Sequence, residues 1–259
     1  MRMQEDAVLG CKLSKSLSFS QDEELYISTS DTKIKMTEDY APFVDKILND
    51  ISYIPRSILD LGCGPGYIAR RFSEVLPDAM VFGVDKSSIM INHANNVINK
   101  SLKKNNYISC SEYETEGGSF GMFEKEPDYL HYYEPRLQYM IADSAKLPFC
   151  NLKFDLIILK GTYKCLENKV DSLKEMYRVL SHGGEIFIYE FRKDIPEEEF
   201  ALLTKHMKPQ KVKSLRRKLN CSLDIEEYEN YLSEAGLTKF SLIERDGLDL
   251  KITIKKLHL

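Results

Sequence analysis

Residues 57–71 constrain the fold more than any other part of the chain. An apolar run ends there in Asp60, and three glycines, Gly62, Gly64 and Gly66, follow at alternate positions before a helical pattern begins. Because glycine lacks Cβ, such a turn is tight and lets backbone N–H groups approach a ligand. The following helix begins with unpaired N–H groups and a partial positive charge. The pattern predicts a strand that ends beside a nucleotide-like ligand at a helix N-terminus.

The spacing of these glycines narrows the choice of ligand. A dinucleotide fingerprint reads G-x-G-x-x-G because a pyrophosphate binds at the helix start, whereas this chain reads G-C-G-P-G. Pro65 has no N–H to offer a phosphate, and the Asp60 carboxylate repels a pyrophosphate but attracts an ammonium group. Asp85 follows 19 residues after Gly66, where a carboxylate accepts hydrogen bonds from ribose hydroxyls. The predicted ligand carries a ribose and an amino group but no phosphates.

Five sequence blocks resemble the class I S-adenosylmethionine (SAM)-dependent methyltransferases, in the small-molecule branch of methyltransferase types 11 and 25. A glycine-rich turn alone serves many nucleotide sites, but five blocks in the family's order are specific. The resemblance covers residues 38–192 and implies SAM as cofactor, S-adenosylhomocysteine (SAH) as product and methyl transfer as activity. The blocks read Leu59-Asp-Leu-Gly-Cys-Gly-Pro-Gly66, Val84-Asp85, Ala142-Asp-Ser-Ala-Lys-Leu-Pro-Phe149, Phe154-Asp-Leu-Ile-Ile158 and Leu180-Ser-His-Gly-Gly-Glu-Ile-Phe187.

The resemblance also implies which residues bind the cofactor. Asp143 is expected to accept a hydrogen bond from the adenine amine, with Ser144 adding a backbone donor and Lys86 flanking the ring. Lys160 is expected to offer its backbone carbonyl, with its side chain turned away from the sulfonium. No metal ion is expected. The implied cofactor-binding residues are Asp60, Gly62, Cys63, Gly64, Gly66, Asp85, Lys86, Asp143, Ser144 and Lys160.

Periodicity places the chain in the α/β fold class. Strands separated by helical patterns are predicted near 57–61, 80–84, 137–141, 153–159 and 184–191. Such alternation is typical of a doubly wound, Rossmann-like sheet with helices on both faces. Two more strands near 238–245 and 249–256 complete a mostly parallel seven-stranded sheet, and the resemblance implies that the last strand is antiparallel. The first helix is predicted to begin with Thr37 as its N-cap.

The composition is that of an ordinary globular protein. A length of 259 residues suffices for one α/β domain, and 43% hydrophobic with 29% charged residues is average. The net charge of −4 gives no general attraction to nucleic acid or acidic membrane. Six cysteines without a C-x-x-C pair indicate reduced thiols. Because the chain has no apolar run of about 18 residues, we expect a cytoplasmic protein without a membrane partner. The sequence does not specify the oligomeric state.

We expect residues 1–36 to form an N-terminal arm or cap and residues 37–259 a single methyltransferase domain. Residues 107–137 form an insertion with seven acidic and two basic residues, either a surface excursion or a substrate-facing flap. The resemblance implies a helical cap over about 193–222 that shapes the acceptor pocket. Segment 205–218 of this cap has seven basic and no acidic residues. Such a run of charge forms either a solvated helix face or an anion-binding surface.

The expected function is methyl transfer from SAM to a small-molecule acceptor. Two alternatives stay open: a protein or RNA methyltransferase that uses the basic segment 205–218, and a non-catalytic binding protein that keeps the fold. Methylation of exocyclic base amines is disfavoured, because Lys160-Gly-Thr-Tyr163 lacks the Asn/Asp-Pro-Pro-aromatic tetrad that grips such an amine. The catalytic base stays unassigned, with Glu190, Tyr163 and His131 as candidates.

Overall fold

The computed structural model describes residues 23–24, 26–28, 36–104 and 136–257. These residues contain a seven-stranded sheet. Its strands are β1 Ser57–Leu61, β2 Met80–Asp85, β3 Leu137–Ile141, β4 Phe154–Lys160, β5 Leu180–Phe191, β6 Ser241–Asp246 and β7 Asp249–Lys255. Their spatial order is β3-β2-β1-β4-β5-β7-β6. β7 runs antiparallel to both of its neighbours, whereas β1 to β5 are parallel. The predicted doubly wound, mostly parallel sheet with an antiparallel last strand is confirmed.

Helices cover both faces of this sheet. They are α1 Ala41–Asp50, α2 Tyr67–Val75, α3 Ser88–Lys104, α4 Lys169–Val179, α5 Glu197–Thr204, α6 Pro209–Asn220 and α7 Ile225–Glu234. The start of α7 is fixed by a capping box, in which Asp224 accepts from the Glu227 N–H and the Glu227 carboxylate accepts from the Asp224 N–H.

Alternate side chains of the central strands enter two different hydrophobic cores. In β4, Leu156 and Ile158 pack on the side of α1, α2 and α3, whereas Ile157 and Leu159 pack on the side of α4 and α7. All four are fully buried. Because both faces are covered, the C-terminal ends of the parallel strands are held in place along one edge of the sheet, where ligands of such folds bind.

The predicted N-cap at Thr37 is wrong. Thr37 lies inside a π-helical segment, Met36–Tyr40, and the α-helix α1 begins only at Ala41. Pro42 stands in the first turn of α1, where a missing N–H costs no hydrogen bond. The change from π- to α-helical geometry therefore falls just before the proline, and Thr37 is one turn too early to cap.

Two strand boundaries also differ from the prediction. β5 begins at Leu180 rather than near 184, because its pairing with β4 shifts between Phe154 and Leu156 and absorbs the extra residues. Gly183, with φ of +79°, lies in this irregular stretch. β6 begins at Ser241, because residues 238–240 form a 3₁₀ turn.

The helices α5 and α6 follow β5 within the segment expected to be a cap. They share a small hydrophobic cluster of Ile195, Phe200 and Leu219. The Arg216 guanidinium lies 3.6 Å from the Phe200 ring centroid and pairs with Glu197 at 2.5 Å. These contacts join the two helices to each other.

Several expectations fall where the structure gives no description. Most of the expected arm 1–36 and all but the last two residues of the insertion 107–137 lie outside the described residues. Within the described ranges, no helix is both long and apolar enough to cross a membrane.

Candidate active site

The glycine-rich turn joins β1 to α2 at the C-terminal edge of the sheet. Gly62, Gly64 and Gly66 have φ angles of +73°, +53° and +82°, a left-handed conformation that other residues adopt only with strain. The N–H groups of Gly62 and Cys63 donate to the carbonyl of Val84 at 2.7 and 3.0 Å. The turn is therefore tied to the end of β2.

Asp85 ends β2 directly beside this turn. Its Oδ2 accepts a hydrogen bond from the Gly64 N–H at 2.8 Å, and its Oδ1 accepts one from the Ser87 N–H at 2.9 Å. A carboxylate offers about four lone-pair sites, so these two bonds leave capacity for the hydroxyls of a ligand. The side chain thus fixes the turn and remains able to accept hydrogen bonds.

Asp60 lies beneath the turn and is 1% exposed. Its Oδ2 accepts a hydrogen bond from the Ala69 N–H of α2 at 3.0 Å. Burial raises the pKa of Asp60 to about 7, against the opposing effect of the Ala69 N–H and with a contribution from the Asp85 charge. A cation bound nearby would favour the ionised carboxylate, so an ammonium group suits this position.

Asp143 and Ser144 follow β3, next to the end of β2. The N–H of Ala142 donates to the Asp85 carbonyl at 3.2 Å, which brings the two strand ends together. The Asp143 Oδ1 accepts from the Ala145 N–H at 2.9 Å within its own turn. The Ser144 hydroxyl lies 2.7 Å from a serine hydroxyl of α4. Asp143 is exposed, so its second oxygen is accessible to a ligand.

Cys63 lies within the same turn, and Lys86 directly follows Asp85 beside it. The Cys63 side chain is buried, with Sγ 3.6 Å from the Gly64 carbonyl. The Lys86 ammonium forms an exposed ion pair with Glu167 at 2.9 Å. This pair joins the loop after β2 to the loop after β4, across the edge where the turn lies.

Lys160 ends β4 and contacts the turn through Thr162. The Thr162 hydroxyl lies 3.2 Å from the Gly62 carbonyl and 3.3 Å from the Lys160 carbonyl. The Lys160 ammonium lies 3.8 Å from the ring centroid of Phe43 in α1. Burial lowers the pKa of Lys160. The backbone of Lys160 is thus close to the turn, and its side chain extends toward α1.

The candidates for a catalytic base are placed differently. The Glu190 Oε1 accepts a hydrogen bond from the Lys164 backbone N–H at 3.3 Å. The Glu190 Oε2 forms an ion pair with the Lys164 ammonium, also at 3.3 Å, but accepts no hydrogen bond from the described residues. Burial raises the pKa of Glu190, against the effect of Lys164. The buried Tyr163 directs its hydroxyl to the Lys169 carbonyl at 3.5 Å. His131 lies outside the described residues.

Tyr139 in β3 supports the turn, although sequence reasoning did not identify it. Its hydroxyl donates to the Gly66 carbonyl at 2.6 Å. Its ring occupies the space in which a Cβ on Gly66 or on Gly83 would lie. Gly83 is the register partner of Tyr139 in β2. A glycine inside an apolar strand marks the close approach of another group, and this signal was available in the sequence.

Replacing Gly83 with alanine is expected to destabilise the protein by about 1–3 kcal/mol, because the new methyl group overlaps the Tyr139 ring in a packed core. Urea unfolding followed by circular dichroism measures this change. The same substitution should cost much less in a Tyr139→Leu background, where the overlap is relieved. An equal cost in both backgrounds would contradict the explanation.

No metal site is formed by the part of the chain that the structure describes, since no three His, Cys, Asp or Glu side chains there lie close enough to bind an ion. The described cysteines are free thiols, buried at Cys63 and exposed at Cys150, Cys165 and Cys221. Cys11 and Cys110 lie outside the described residues.

Known methyltransferases resemble this chain in sequence and in fold. An uncharacterized methyltransferase of Schizosaccharomyces pombe is 26% identical over 140 residues, which are 52% of this chain and 41% of that protein. The chloroplastic 2-phytyl-1,4-beta-naphthoquinone methyltransferase of Arabidopsis thaliana is 26% identical over 203 residues, 73% of this chain and 67% of that protein. The chain thus spans less than half the length of the first relative. A crystal structure of a SAM-dependent methyltransferase from Aquifex aeolicus has a TM-score of 0.58 at 16% identity, covering 90% of this chain and 97% of that one.

The family assignment follows from the match to a family model. The model described as "Methyltransferase domain" matches residues 59–188, half of the chain. The match begins in β1, ends in β5 and includes the glycine-rich turn with both of its carboxylates. The chain therefore belongs to this methyltransferase family, and its fold is that of SAM-dependent methyltransferases.

Proposed function

We propose that the chain transfers the methyl group of SAM to a small-molecule acceptor. The observation that carries the proposal is the contact between the glycine-rich turn and the end of β4. The Thr162 hydroxyl lies within 3.3 Å of the carbonyl groups of both Gly62 and Lys160. A ligand held by the turn therefore lies beside the ends of β4 and β5, where an acceptor can approach it.

The residues around the turn fit the cofactor in chemistry. We assign Asp60 to the ammonium group and Asp85 to the ribose hydroxyls. The buried carboxylate of Asp60, with its raised pKa, gains from a bound cation. We assign Asp143 to the adenine amine, because its carboxylate is exposed beside the end of β2. The other residues proposed to contact the cofactor are Gly62, Cys63, Gly64, Gly66, Lys86, Ser144 and Lys160.

The protein mainly positions the two reactants. SAM, when bound, supplies a methyl group whose bond to sulfur breaks with its electron pair left on sulfur, while a lone pair of the acceptor forms the new bond. Holding reactants in line contributes about 7–11 kcal/mol in favourable cases. Glu190 is the candidate acceptor of a proton, because its Oε2 has no hydrogen-bond partner among the described residues. A general base contributes about 10²–10⁴-fold.

The choice of a small acceptor rests on the relatives and on the helix α6. A relative named for a naphthoquinone acts on a small molecule by its name, and we extend that class to this chain. Arg216 is engaged with Glu197 and Phe200, and the Lys218 ammonium lies 5.7 Å from the Phe191 ring centroid. These contacts use basic side chains within the cap and leave fewer for a phosphate backbone. We place the activity in the cytoplasm, without nucleic acid as partner.

A transfer experiment tests the class of acceptor. The protein is incubated with methyl-labelled SAM and with a cell extract that ultrafiltration has divided into small molecules and macromolecules. Label is expected in the small-molecule fraction, and an Asp85→Ala variant should transfer much less. Label found only in protein or RNA would contradict the proposal. In that case the protein should also bind heparin at low salt, because a phosphate-binding face is positively charged.

A further inference from the structure

Lysine side chains and aromatic rings meet near the C-terminal ends of β4 and β5. Lys160 lies 3.8 Å from the Phe43 ring centroid and 5.9 Å from that of Tyr189. Lys164 and Lys218 lie 5.3 and 5.7 Å from the Phe191 ring centroid. We call these six residues the lysine–aromatic cluster: Phe43, Lys160, Lys164, Tyr189, Phe191 and Lys218.

The lysine–aromatic cluster lies next to the glycine-rich turn rather than within it. β4 is the direct neighbour of β1, from which the turn extends. Lys160 is the last residue of β4 and is joined to Gly62 through Thr162. Tyr189 pairs with Lys160 in the register of β4 and β5. The cluster thus borders the place where an acceptor must lie to reach a methyl group held by the turn.

The charge of Lys160 is not matched by an ion pair within the described residues. Lys164 forms an ion pair with the buried Glu190. Lys160 forms no ion pair with any residue in the described ranges, and neither does Asp249, which acts on it from the start of β7. Burial disfavours the charged form of Lys160, whereas the Asp249 carboxylate favours it. The effect of burial is the larger of the two, because the pKa of Lys160 is lowered overall. The Phe43 ring supplies a partial partner, and an anion beside Lys160 would complete the pairing.

We propose that the acceptor is an organic acid, whose carboxylate binds the Lys160 ammonium at the end of β4. The proposal rests on the proposed function, since it describes the acceptor of the same reaction. Ammonium and carboxylate form a charge-assisted hydrogen bond, which is strengthened where water is partly excluded.

Benzoate and benzamide are the probes that test this proposal, because they have nearly the same shape and differ in charge. SAH-saturated protein is titrated with each probe at constant ionic strength, with binding followed by nuclear magnetic resonance. We expect benzoate to bind the wild type at least about tenfold more tightly than benzamide. The preference should be lost in Lys160→Met, which removes the charge but keeps an unbranched side chain.

Lys239→Met is the matched control, because Lys239 is exposed in the 3₁₀ turn before β6. It should keep the full preference for benzoate. Equal binding of the two probes by the wild type, including no binding of either, would overturn the proposal. So would a preference that persists in Lys160→Met. Binding of SAH is measured in the same samples, and its absence in the wild type would instead refute the proposed function.

Discussion

Replacing Asp85 with alanine is expected to weaken SAH binding at least about tenfold, or about 1.4 kcal/mol. The variant loses the acceptor that holds the N–H groups of Gly64 and Ser87. It also loses the carboxylate that we assign to the ribose hydroxyls. Both losses act on the same ligand, because the glycine turn and the ribose contact are parts of one site. Calorimetric titration of wild type and variant with SAH measures the change.

Asp155→Ala is the matched control for this experiment. The Asp155 Oδ2 also accepts from two backbone N–H groups, those of Arg56 and Ser57 at 2.8 and 3.1 Å. These lie at the opposite end of β1 from the glycine turn. Both variants should lose stability by about 1–3 kcal/mol, but Asp155→Ala should bind SAH as the wild type does. An equal loss of affinity in both variants would indicate a general effect of stability, and full affinity in Asp85→Ala would contradict the assigned role.

The wild type is expected to lose stability relative to Asp60→Asn as the pH rises from about 5.5 to about 7. Burial raises the pKa of Asp60 to about 7 in the folded protein, whereas an unfolded chain has a value of about 3.9. Between these values the folded state binds a proton that the unfolded state has released. The free energy of unfolding therefore falls with rising pH, by about 1.4 kcal/mol per unit. Asparagine keeps an acceptor for the Ala69 N–H but does not ionise.

Urea unfolding of both proteins at the two pH values tests this expectation. The stability difference should shift by about 2 kcal/mol in favour of the variant as the pH rises. Other buried acids contribute equally to both proteins and cancel in the comparison. A difference that stays constant would place the pKa of Asp60 outside this window.

Cofactor affinity should depend on the same carboxylate. An ammonium group favours ionised Asp60, so the wild type should bind SAH more tightly as the pH rises toward about 7, and Asp60→Asn should lack this rise. The amino group of SAH titrates equally in both experiments, so the comparison isolates Asp60. When SAH binds the wild type below a pH of about 7, Asp60 should release a proton. Calorimetry in buffers of different ionisation enthalpy should detect this release. Equal release by the variant would contradict the assignment.

The glycine turn and its carboxylates could be found from the sequence, because their signals are local. A strand, a turn and the end of the next strand have a fixed spacing along the chain, and Asp60 and Asp85 occupy two such positions. The contacts of Lys160 with Phe43 and Tyr189 could not be found in this way. They depend on which helix covers which face of the sheet, and periodicity does not specify that pairing.

The strands themselves followed from periodicity, whereas their order at the end of the sheet did not. Residues 241–246 and 249–255 both have strand patterns, yet nothing in those patterns places the second beside β5. The family resemblance implied only that this end of the sheet is antiparallel. Thr37 failed as a predicted cap because the local signal for a helix start does not distinguish π- from α-helical geometry.

The position of β7 has a consequence for synthesis on the ribosome. β7 follows β6 in the chain but lies between β5 and β6 in the sheet. During translation, β6 therefore leaves the ribosome before the strand with which it pairs, and one edge of β5 stays open. An open edge next to apolar residues such as Ile186 and Ile188 can pair with other chains. This edge of β5 is thus covered only after the seven residues of β7 have been synthesised.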